Sequence, residues 1–293
     1  MYKRYFSLTR NPFDLTPDPE YFVATGQHNE ALAALYYGVR HHKGFVVLSG
    51  EAGTGKTMLL RCLLRALEAS QDVAFAYLFN GRLAPLEFLQ YVAADLNLPV
   101  QGKNKSELLF AFNQFLAARG AKQQTTLLVV DEAHLLSSEI LEEVRLLTNL
   151  ETASQKLLQI ILVGQPELDR KLDSWDLRQL KQRIAVRAHL TPLTLDESIA
   201  YISHRMAIAG AETQVDALFP VEAMRAIHCY SGGLPRLINA LCENALMTAY
   251  ARQSSTITPQ MVQSVASNFR MDAVEASQPQ AESDSMQPSL TLN

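Results

Sequence analysis

An apolar run followed at once by a glycine-rich turn constrains this chain more than any other feature. The run is Phe45–Ser49 (FVVLS), and the turn GEAGTGKT fits G-x-x-x-x-G-K-[ST] in full from Gly50 to Thr57. The helical pattern MLLRCLLRALEA follows directly. A strand, a loop of this composition and a helix in this order predict a phosphate-binding loop, because glycines let backbone N–H groups surround a phosphate at a helix N-terminus.

Within this loop the polar residues have separate predicted tasks. We expect Lys56 to reach the β- and γ-phosphates and the Thr57 hydroxyl to offer an oxygen to Mg²⁺. The alternative, a strand–helix turn without a ligand, is disfavoured because the strand, the lysine and the threonine are all in register. The predicted nucleotide contacts of the loop are Gly50, Glu51, Ala52, Gly53, Thr54, Gly55, Lys56, Thr57 and Met58.

Two adjacent acids end a second apolar run, LLVVDEAH. We predict that Asp131 points into the Mg²⁺ shell and that Glu132 orients and deprotonates the attacking water. The alternative is a solvated strand end, although carboxylates after an apolar strand are costly to bury without a partner. Nucleotide binding alone requires only Asp131, so the glutamate that follows it indicates hydrolysis.

Five apolar runs have the pattern of strands buried on both faces of a parallel sheet. They are Phe45–Ser49, Val73–Phe79, Thr126–Asp131, Leu158–Gly164 and the weaker Ile184–Leu190. Helical patterns lie between them at Lys56–Ala69, Pro85–Leu96, Ser106–Arg119 and Ser138–Leu150. This alternation predicts an α/β fold with a doubly wound, parallel, five-stranded sheet.

Strand patterns stop after Pro192, and only helical patterns follow. These are Asp196–Ala209, Pro220–Tyr230, Pro235–Ala251 and Pro259–Phe269. The change predicts a small all-helical lid domain. The predicted boundaries are 1–40 for an N-terminal arm and first helix that belong to the first domain, 41–191 for the α/β domain, 192–270 for the lid and 271–293 for a disordered polar tail.

The composition limits which cellular compartment and which classes of partner are expected. The formal net charge of −4 provides no global positive field for nucleic acid, although a local basic patch stays open. The three cysteines, Cys62, Cys229 and Cys242, are far apart and lack metal-ligand spacing, which predicts reduced thiols on helices. No run approaches the roughly 20 apolar residues of a membrane span. We therefore expect a cytoplasmic protein whose association with any membrane would need a partner.

The loop, the acidic strand end and the trailing helical domain together resemble the AAA+ ATPases. By that resemblance, Gln165 in LQIILVGQPEL has the place of a sensor 1 residue, or else is an ordinary polar strand end. Arg183 in LKQRI resembles an arginine finger acting on ATP of a neighbouring subunit, with Arg178 or a solvated basic face as alternatives. Arg236 in GGLPRLIN resembles sensor 2. The implied catalytic residues are Lys56, Glu132, Gln165, Arg183 and Arg236.

A closer resemblance covers about residues 1–270. The chain is similar to the general secretion pathway protein A (ExeA-type) family, and nearest to its members in MSHA pilus biogenesis, through NPFDLTPDP, a histidine before EAL, GEAGTGKT, DEAH, VGQPEL, RQLKQRI and GGLPRLIN in that order. The resemblance implies ATP with Mg²⁺ and an ATP-dependent homo-oligomeric ring. It also implies an inner-membrane pilus or secretion assembly protein as partner, and a role in energising assembly or positioning of an envelope machine.

The sequence departs from the secretion members of that family at its end. Those members continue into a transmembrane helix and a periplasmic peptidoglycan-binding domain, whereas this sequence ends in a polar tail. We therefore expect action on the envelope through a membrane partner rather than direct remodelling of peptidoglycan.

Two other classes of function stay open at this point. A DNA-associated ATPase of the transposition or initiator-loader type is favoured by GGLPRLIN, but disfavoured by the acidic charge and by the absence of an obvious winged-helix pattern. DNA is therefore an unexpected but open partner. A nucleotide-dependent scaffold without hydrolysis is disfavoured by the presence of Lys56, Asp131 and Glu132.

Two histidines also have two interpretations each. His28, together with Tyr21 and Phe22, either lies near the adenine or packs the N-terminal arm. His134 either tunes Glu132 or caps and packs the turn after the strand.

Overall fold

The structure is a computed structural model that describes residues 1–70, 72–79, 83–152, 155–211 and 215–273. The described residues form one sheet of five strands: β1 Phe45–Gly50, β2 Val73–Leu78, β3 Thr125–Val130, β4 Leu158–Gly164 and β5 Ile184–Leu190. All five predicted strands are confirmed, each to within one residue at either end.

The helices within the described ranges surround this sheet and continue beyond it. They are α1 Tyr2–Tyr5, α2 Gly26–Arg40, α3 Lys56–Glu68, α4 Pro85–Asp95, α5 Lys105–Ala121, α6 Ser138–Leu147, α7 Pro166–Leu172, α8 Arg178–Lys181, α9 Leu195–Met206, α10 Val215–Leu218, α11 Val221–Ser231, α12 Pro235–Ala251 and α13 Pro259–Asn268. The sequence patterns did not predict the short helices α1, α7, α8 and α10, because four to seven residues are too few for a clear helical period.

The sheet has the order β2–β3–β4–β1–β5, and every neighbouring pair is parallel. The predicted fold class is therefore confirmed. Parallel strands place all their carboxyl ends at one edge of the sheet. The loop after β1, the acids after β3 and Gln165 after β4 consequently meet at that edge, although they are far apart in sequence.

Helices cover both faces of the sheet, and successive residues of a strand serve opposite faces. Val46 and Leu48 of β1 pack with α2 and α3 on one face. Phe45 and Val47 pack with α4, α5 and α6 on the other. Strands β1, β3 and β4 are buried at every residue, which explains why their sequences are continuous apolar runs instead of alternating ones.

The helices after β5 form a second apolar core, and the start of the chain belongs to it. Tyr2, Phe6, Leu8 and Phe13 are buried in the same cluster as residues of α9, α11, α12 and α13. Helix α2, in contrast, packs on the sheet. The segment 1–40, predicted as part of the first domain, thus divides its contacts between the lid helices and the sheet.

The remaining sequence-based predictions concern the tail, the thiols and the membrane. Residues 274–293 of the predicted tail lie outside the described residues. The three cysteines are free and lie on α3, α11 and α12, as predicted. In the part of the chain that the structure describes, no helix is both long enough and apolar enough to span a membrane.

Candidate nucleotide-binding site

A cavity of about 400 Å³ opens at the carboxyl edge of the sheet, where the α/β layer meets the lid helices. Four segments line it: the N-terminal arm (14–17 and 21–23, with His28 of α2), the loop and first turn of α3 (52–58), the strand ends at Glu132 and Gln165, and the lid. The lid contributes Leu193, Tyr201, Arg205, Pro235, Arg236 and Asn239. Loop, strand ends and lid thus enclose one space.

The glycine-rich loop is folded around its own lysine. Lys56 is buried, and its Nζ donates to the carbonyl oxygens of Gly50 at 2.7 Å and Glu51 at 2.8 Å. Burial lowers the pKa of Lys56, while the nearby charges of Glu132 and Asp131 oppose this shift. Gly50 and Glu51, predicted as nucleotide contacts, serve the lysine through their carbonyls and are not among the residues that line the cavity.

Two loop glycines have backbone conformations that other residues rarely adopt. Gly53 and Gly55 have φ angles of 88° and 100°. Gly55 directly precedes α3, and this turn sets the first N–H groups of the helix beside the loop. The sequence GEAGTGKT therefore has the local geometry on which its interpretation depends.

Asp131 is buried, and its carboxylate lies next to the side chain of Thr57. The Thr57 hydroxyl lies 3.4 Å from Asp131 Oδ2, and the Tyr77 hydroxyl donates to the same oxygen at 2.7 Å. Asp131 Oδ1 accepts from the backbone N–H of Glu132 at 2.9 Å. The carboxylate is thus held by three donors, and a hydroxyl and a carboxylate oxygen lie side by side next to the cavity.

Glu132 follows in a left-handed conformation, with φ at 52°. Its side chain is 46% exposed, yet its Oε2 is buried, makes no hydrogen bond and lies 3.4 Å from His134 Nδ1. The exposure therefore belongs to the other atoms of the side chain, which line the cavity. The same His134 nitrogen lies 3.5 Å from the backbone nitrogen of Gln165. His134 thus lies against Glu132 and accepts from the backbone N–H of Gln165, contacts that fit both of its interpretations.

The lid approaches the loop directly at Arg236. Arg236 lies in the first turn of α12, and its backbone N–H donates to Gly53 O at 3.3 Å. A methyl group on Gly53 would lie only 3.0 Å from Arg236 Cβ. The exposed Arg236 side chain lines the cavity, as Glu132 and Gln165 at the strand ends do. The structure therefore brings Arg236 to the loop.

Arg183, the predicted arginine finger, lies away from the cavity. It directly precedes β5, at the amino ends of the parallel strands, and its Nη1 donates to Thr148 Oγ1 at 2.7 Å. Arg178, the alternative finger, stacks its guanidinium 3.8 Å from the ring centre of Trp175. Neither arginine lines the cavity of its own chain. Any action on a nucleotide would have to be on one held by another subunit.

The N-terminal arm closes the cavity from the side of α2. Tyr21, Phe22 and His28 all line the cavity, in agreement with their placement near a nucleotide. His28 also packs the arm: Nδ1 lies 2.7 Å from Thr25 Oγ1, and Nε2 lies 3.3 Å from Thr54 O. The packing of the arm by His28 is therefore observed, and its place near the adenine stays a prediction.

Arg205 of α9 ties the arm to the lid. It is 2% exposed; Nε donates to Pro12 O at 2.5 Å, Nη2 donates to Asp14 O at 3.3 Å, and Nη1 donates to the Tyr201 hydroxyl at 2.8 Å. Its guanidinium carbon lies 4.6 Å from the centre of the Tyr21 ring. The buried Arg205 guanidinium thus donates to three oxygen atoms, and Arg205 itself lines the cavity.

The comparisons with known proteins agree with this geometry. Residues 39–172 match the family model described as an AAA domain. The chain is 42% identical over 258 residues to the General secretion pathway protein A of Aeromonas hydrophila. That match covers 88% of this chain and 46% of the relative, so the chain spans less than half of the relative's length.

Several solved structures are similar in fold. The ORC2 protein of Aeropyrum pernix, in ADPNP and ADP complexes, has a TM-score of 0.65 at 17% identity, covering 88% of this chain and 71% of that one. Cdc6p of Pyrobaculum aerophilum has a TM-score of 0.63 at 20% identity, and the match covers 94% of this chain and 72% of that one. The RuvB branch migration motor of Thermotoga maritima has a TM-score of 0.52 at 17% identity, and the match covers 90% of this chain and 74% of that one. The fold is that of an AAA-type P-loop ATPase.

Within this AAA-type fold, sequence reasoning missed several side chains of the site. They are Tyr77, which contacts Asp131, and the lid residues Tyr201, Arg205 and Asn239. The signal for Tyr77 was a polar residue inside the apolar run VAFAYLF, and for Arg205 a cation beside Met206 on the apolar face of α9. Both signals are weak, because neither specifies which distant residue is the partner.

Proposed function

We propose that this chain is a Mg²⁺-dependent ATPase that converts ATP and water into ADP and phosphate. One observation carries the proposal: Lys56, Glu132, Gln165 and Arg236 come from four separate elements and line a single cavity. A cation, a carboxylate, an amide and a second cation around a glycine-rich loop are the groups that phosphoryl transfer to water requires.

Each of these side chains has a task in the proposed reaction. Phosphate oxygens of ATP replace the carbonyls that now hold the Lys56 ammonium. Glu132 orients the attacking water and accepts its proton, while Gln165 and Arg236 contact the γ-phosphate. The backbone link between Arg236 and Gly53 lets the lid respond to the occupancy of the loop.

Magnesium fits the oxygen donors beside this cavity. Thr57 offers a hydroxyl and Asp131 a carboxylate, which are the ligand types that Mg²⁺ prefers. Among the described residues, no three His, Cys, Asp or Glu side chains cluster as metal ligands, so phosphate oxygens and water would complete the shell. The bound ion would supply positive charge to the β- and γ-phosphate oxygens.

The proposal predicts the behaviour of Glu132→Gln. We expect phosphate release to fall by on the order of 10² to 10⁴, because the carboxylate that accepts the proton is lost. Binding of ATP should persist, since Lys56 and the loop are intact. Phosphate release and calorimetric binding measure the two quantities. Glu139→Gln, an exposed change in the first turn of α6, is the matched control. Unchanged turnover in Glu132→Gln would contradict the proposal.

We further propose that ATP hydrolysis energises assembly or positioning of an envelope machine, a type IV-like (MSHA) pilus or a type II secretion system. The support for a secretion role is the 42% identity to General secretion pathway protein A, and the pilus role rests on the resemblance of the sequence motifs alone. The expected partner is an inner-membrane pilus or secretion assembly protein, and the chain would act from the cytoplasm, peripherally at that membrane. The likeness to ORC2, Cdc6p and RuvB is one of fold and does not favour a DNA-associated role.

A partner capture with Glu132→Gln tests this role. The variant, held with ATP, should retain partners that otherwise dissociate after hydrolysis. Recovery of inner-membrane pilus or secretion components would support the proposal. Recovery of transposition or replication proteins, together with duplex DNA binding that weakens steeply with salt, would overturn it.

A further inference from the structure

Tyr77 is a half-buried contact of Asp131 that the proposed reaction has not yet used. Tyr77 lies on β2 and pairs with Val129 of β3. Val129 is two residues before Asp131 in the sequence. The backbone N–H of Asp131 donates to Leu78 O at 2.8 Å, so the ladder between β2 and β3 continues to the acid. This pairing carries the Tyr77 hydroxyl to 2.7 Å from Asp131 Oδ2.

The Asp131 carboxylate has little rotational freedom as a result. Oδ2 faces the hydroxyls of Tyr77 and Thr57, and Oδ1 accepts from the backbone N–H of Glu132. Of the two hydroxyls, Tyr77 is much closer, at 2.7 Å against 3.4 Å. The strong contact is therefore made by the residue that has no place among the magnesium ligands, and the weak one by Thr57.

Packing alone does not require this hydroxyl. A phenylalanine would fill the same space on β2, whereas a half-buried hydroxyl at 2.7 Å from the buried Asp131 carboxylate satisfies that carboxylate directly. At 2.7 Å from a carboxylate oxygen, which can only accept, the phenol hydroxyl is the donor of this hydrogen bond.

We propose that Tyr77 is a positioning residue for magnesium: its hydroxyl orients the Asp131 carboxylate and leaves the Thr57 oxygen free to bind the ion. Hydrogen-bonded partners of ligating carboxylates orient those ligands and contribute to metal affinity. Tyr77 acts only through Asp131 and touches neither nucleotide nor ion. This inference rests on the proposed Mg²⁺-dependent ATPase function.

The test compares binding of a fluorescent ATP analogue, mant-ATP, in EDTA and during titration with MgCl₂. In Tyr77→Phe, we expect the affinity in EDTA to equal that of the wild type. We expect the half-saturating Mg²⁺ concentration to rise by about 10- to 100-fold. Tyr91→Phe is the matched control, because Tyr91 is a half-buried tyrosine of α4 whose ring contacts Phe79 at the end of β2.

A second measurement separates positioning from a general structural role. Adding Tyr77→Phe to Asp131→Asn should raise the Mg²⁺ requirement no further than Asp131→Asn alone, since Tyr77 acts through that carboxylate. An unchanged Mg²⁺ requirement in Tyr77→Phe, a loss of affinity already in EDTA, or full additivity with Asp131→Asn would each overturn the inference. Failure of the wild type to bind mant-ATP at all would instead overturn the proposed function.

Discussion

At the scale of single residues, His28 shows how one neutral ring serves both packing and the site. Thr54 O can only accept, so Nε2 of His28 carries the proton and Nδ1 accepts from the Thr25 hydroxyl. Burial lowers the pKa of His28, which keeps the ring in this neutral form. A protonated ring could no longer accept the hydrogen bond from the Thr25 hydroxyl at Nδ1. It would also place a positive charge next to Thr54 of the glycine-rich loop.

This burial predicts a loss of stability in weak acid. Above about pH 6.5, the ordinary histidine pKa, His28 is neutral in the folded and unfolded chains alike, and its titration costs nothing. As the pH falls below that value, the unfolded chain binds a proton that the folded chain does not, so the free energy of unfolding falls until the folded-state pKa is passed. His28→Gln should flatten this decline.

Urea unfolding between pH 7 and pH 5 measures the effect. His228, whose pKa burial also lowers, should leave a residual decline of the same sign in His28→Gln. The exposed His41→Gln is the control and should keep the wild-type slope. Equal slopes in all three proteins would contradict the assignment to His28.

At the scale of elements, the N-terminal arm is a wall of the nucleotide cavity held by the lid. Arg205 of α9 supplies three donors to the arm and to Tyr201, and residues 14–17 of the arm line the cavity. Arg61 of α3 also donates to Pro17 O, so the arm bridges the lid and the helix that follows the loop. Movement of the lid would therefore move the arm with it.

We expect Arg205→Leu to release the arm. The change removes the donor to the carbonyls of Pro12 and Asp14 and to the Tyr201 hydroxyl, which keeps its bond to Asn239 Oδ1 at 3.0 Å. The Pro12 carbonyl is then unpaired at a buried residue, which costs roughly 1–3 kcal/mol, and the packing of the buried guanidinium is lost as well. The free energy of unfolding should fall by about 2 kcal/mol or more. Amides near residues 10–17 should exchange hydrogen faster, and ATP affinity should fall.

Urea unfolding and hydrogen exchange by mass spectrometry measure these changes. Arg10→Gln is the control, because Arg10 pairs with Glu20 at an exposed site and should leave both quantities near the wild-type values. Unchanged exchange of the arm in Arg205→Leu would refute its role as the anchor.

At the scale of the whole molecule, the cavity and Arg183 lie at opposite ends of the sheet. The cavity lies at the carboxyl ends of the strands, whereas Arg183 precedes β5 at the amino ends. If Arg183 completes a catalytic site, that site belongs to a neighbouring copy. The proposed ATPase would then be a homo-oligomer that assembles with ATP.

Mixing two inactive variants tests this arrangement. The Arg183→Ala variant retains all residues of its own cavity but has no arginine to contribute to a neighbouring subunit. The Glu132→Gln variant retains Arg183 but lacks the catalytic carboxylate in its own cavity. Alone, Arg183→Ala should lose turnover by on the order of 10³. In a mixture, Glu132→Gln subunits supply Arg183 to intact cavities, so turnover should recover and rise with protein concentration.

Arg178→Ala serves as the control, because Arg178 stacks on the exposed Trp175 and is the alternative finger. Recovery with Arg178→Ala in place of Arg183→Ala would transfer the role to Arg178. Full turnover of both variants alone would contradict a finger in this segment.

Much of the site could be predicted because it follows directly from strand ends. The loop, Asp131, Glu132 and Gln165 each come directly after an apolar run, and a parallel sheet brings such positions together whatever their distance in sequence. Arg236 was predicted through resemblance, and the structure places it beside Gly53. Their catalytic roles remain predictions.

The sequence by itself determined the α/β fold, the five strands and the helical segment after them, because apolar periodicity and loop chemistry are local properties of the chain. Only the tertiary structure decided that the arm packs in the lid core, that Arg205 holds it from α9, and that Tyr77 reaches Asp131 across 54 residues of sequence. Such contacts depend on strand order and on how two cores pack against each other. No periodicity within one segment records which distant side chain will satisfy a buried polar group.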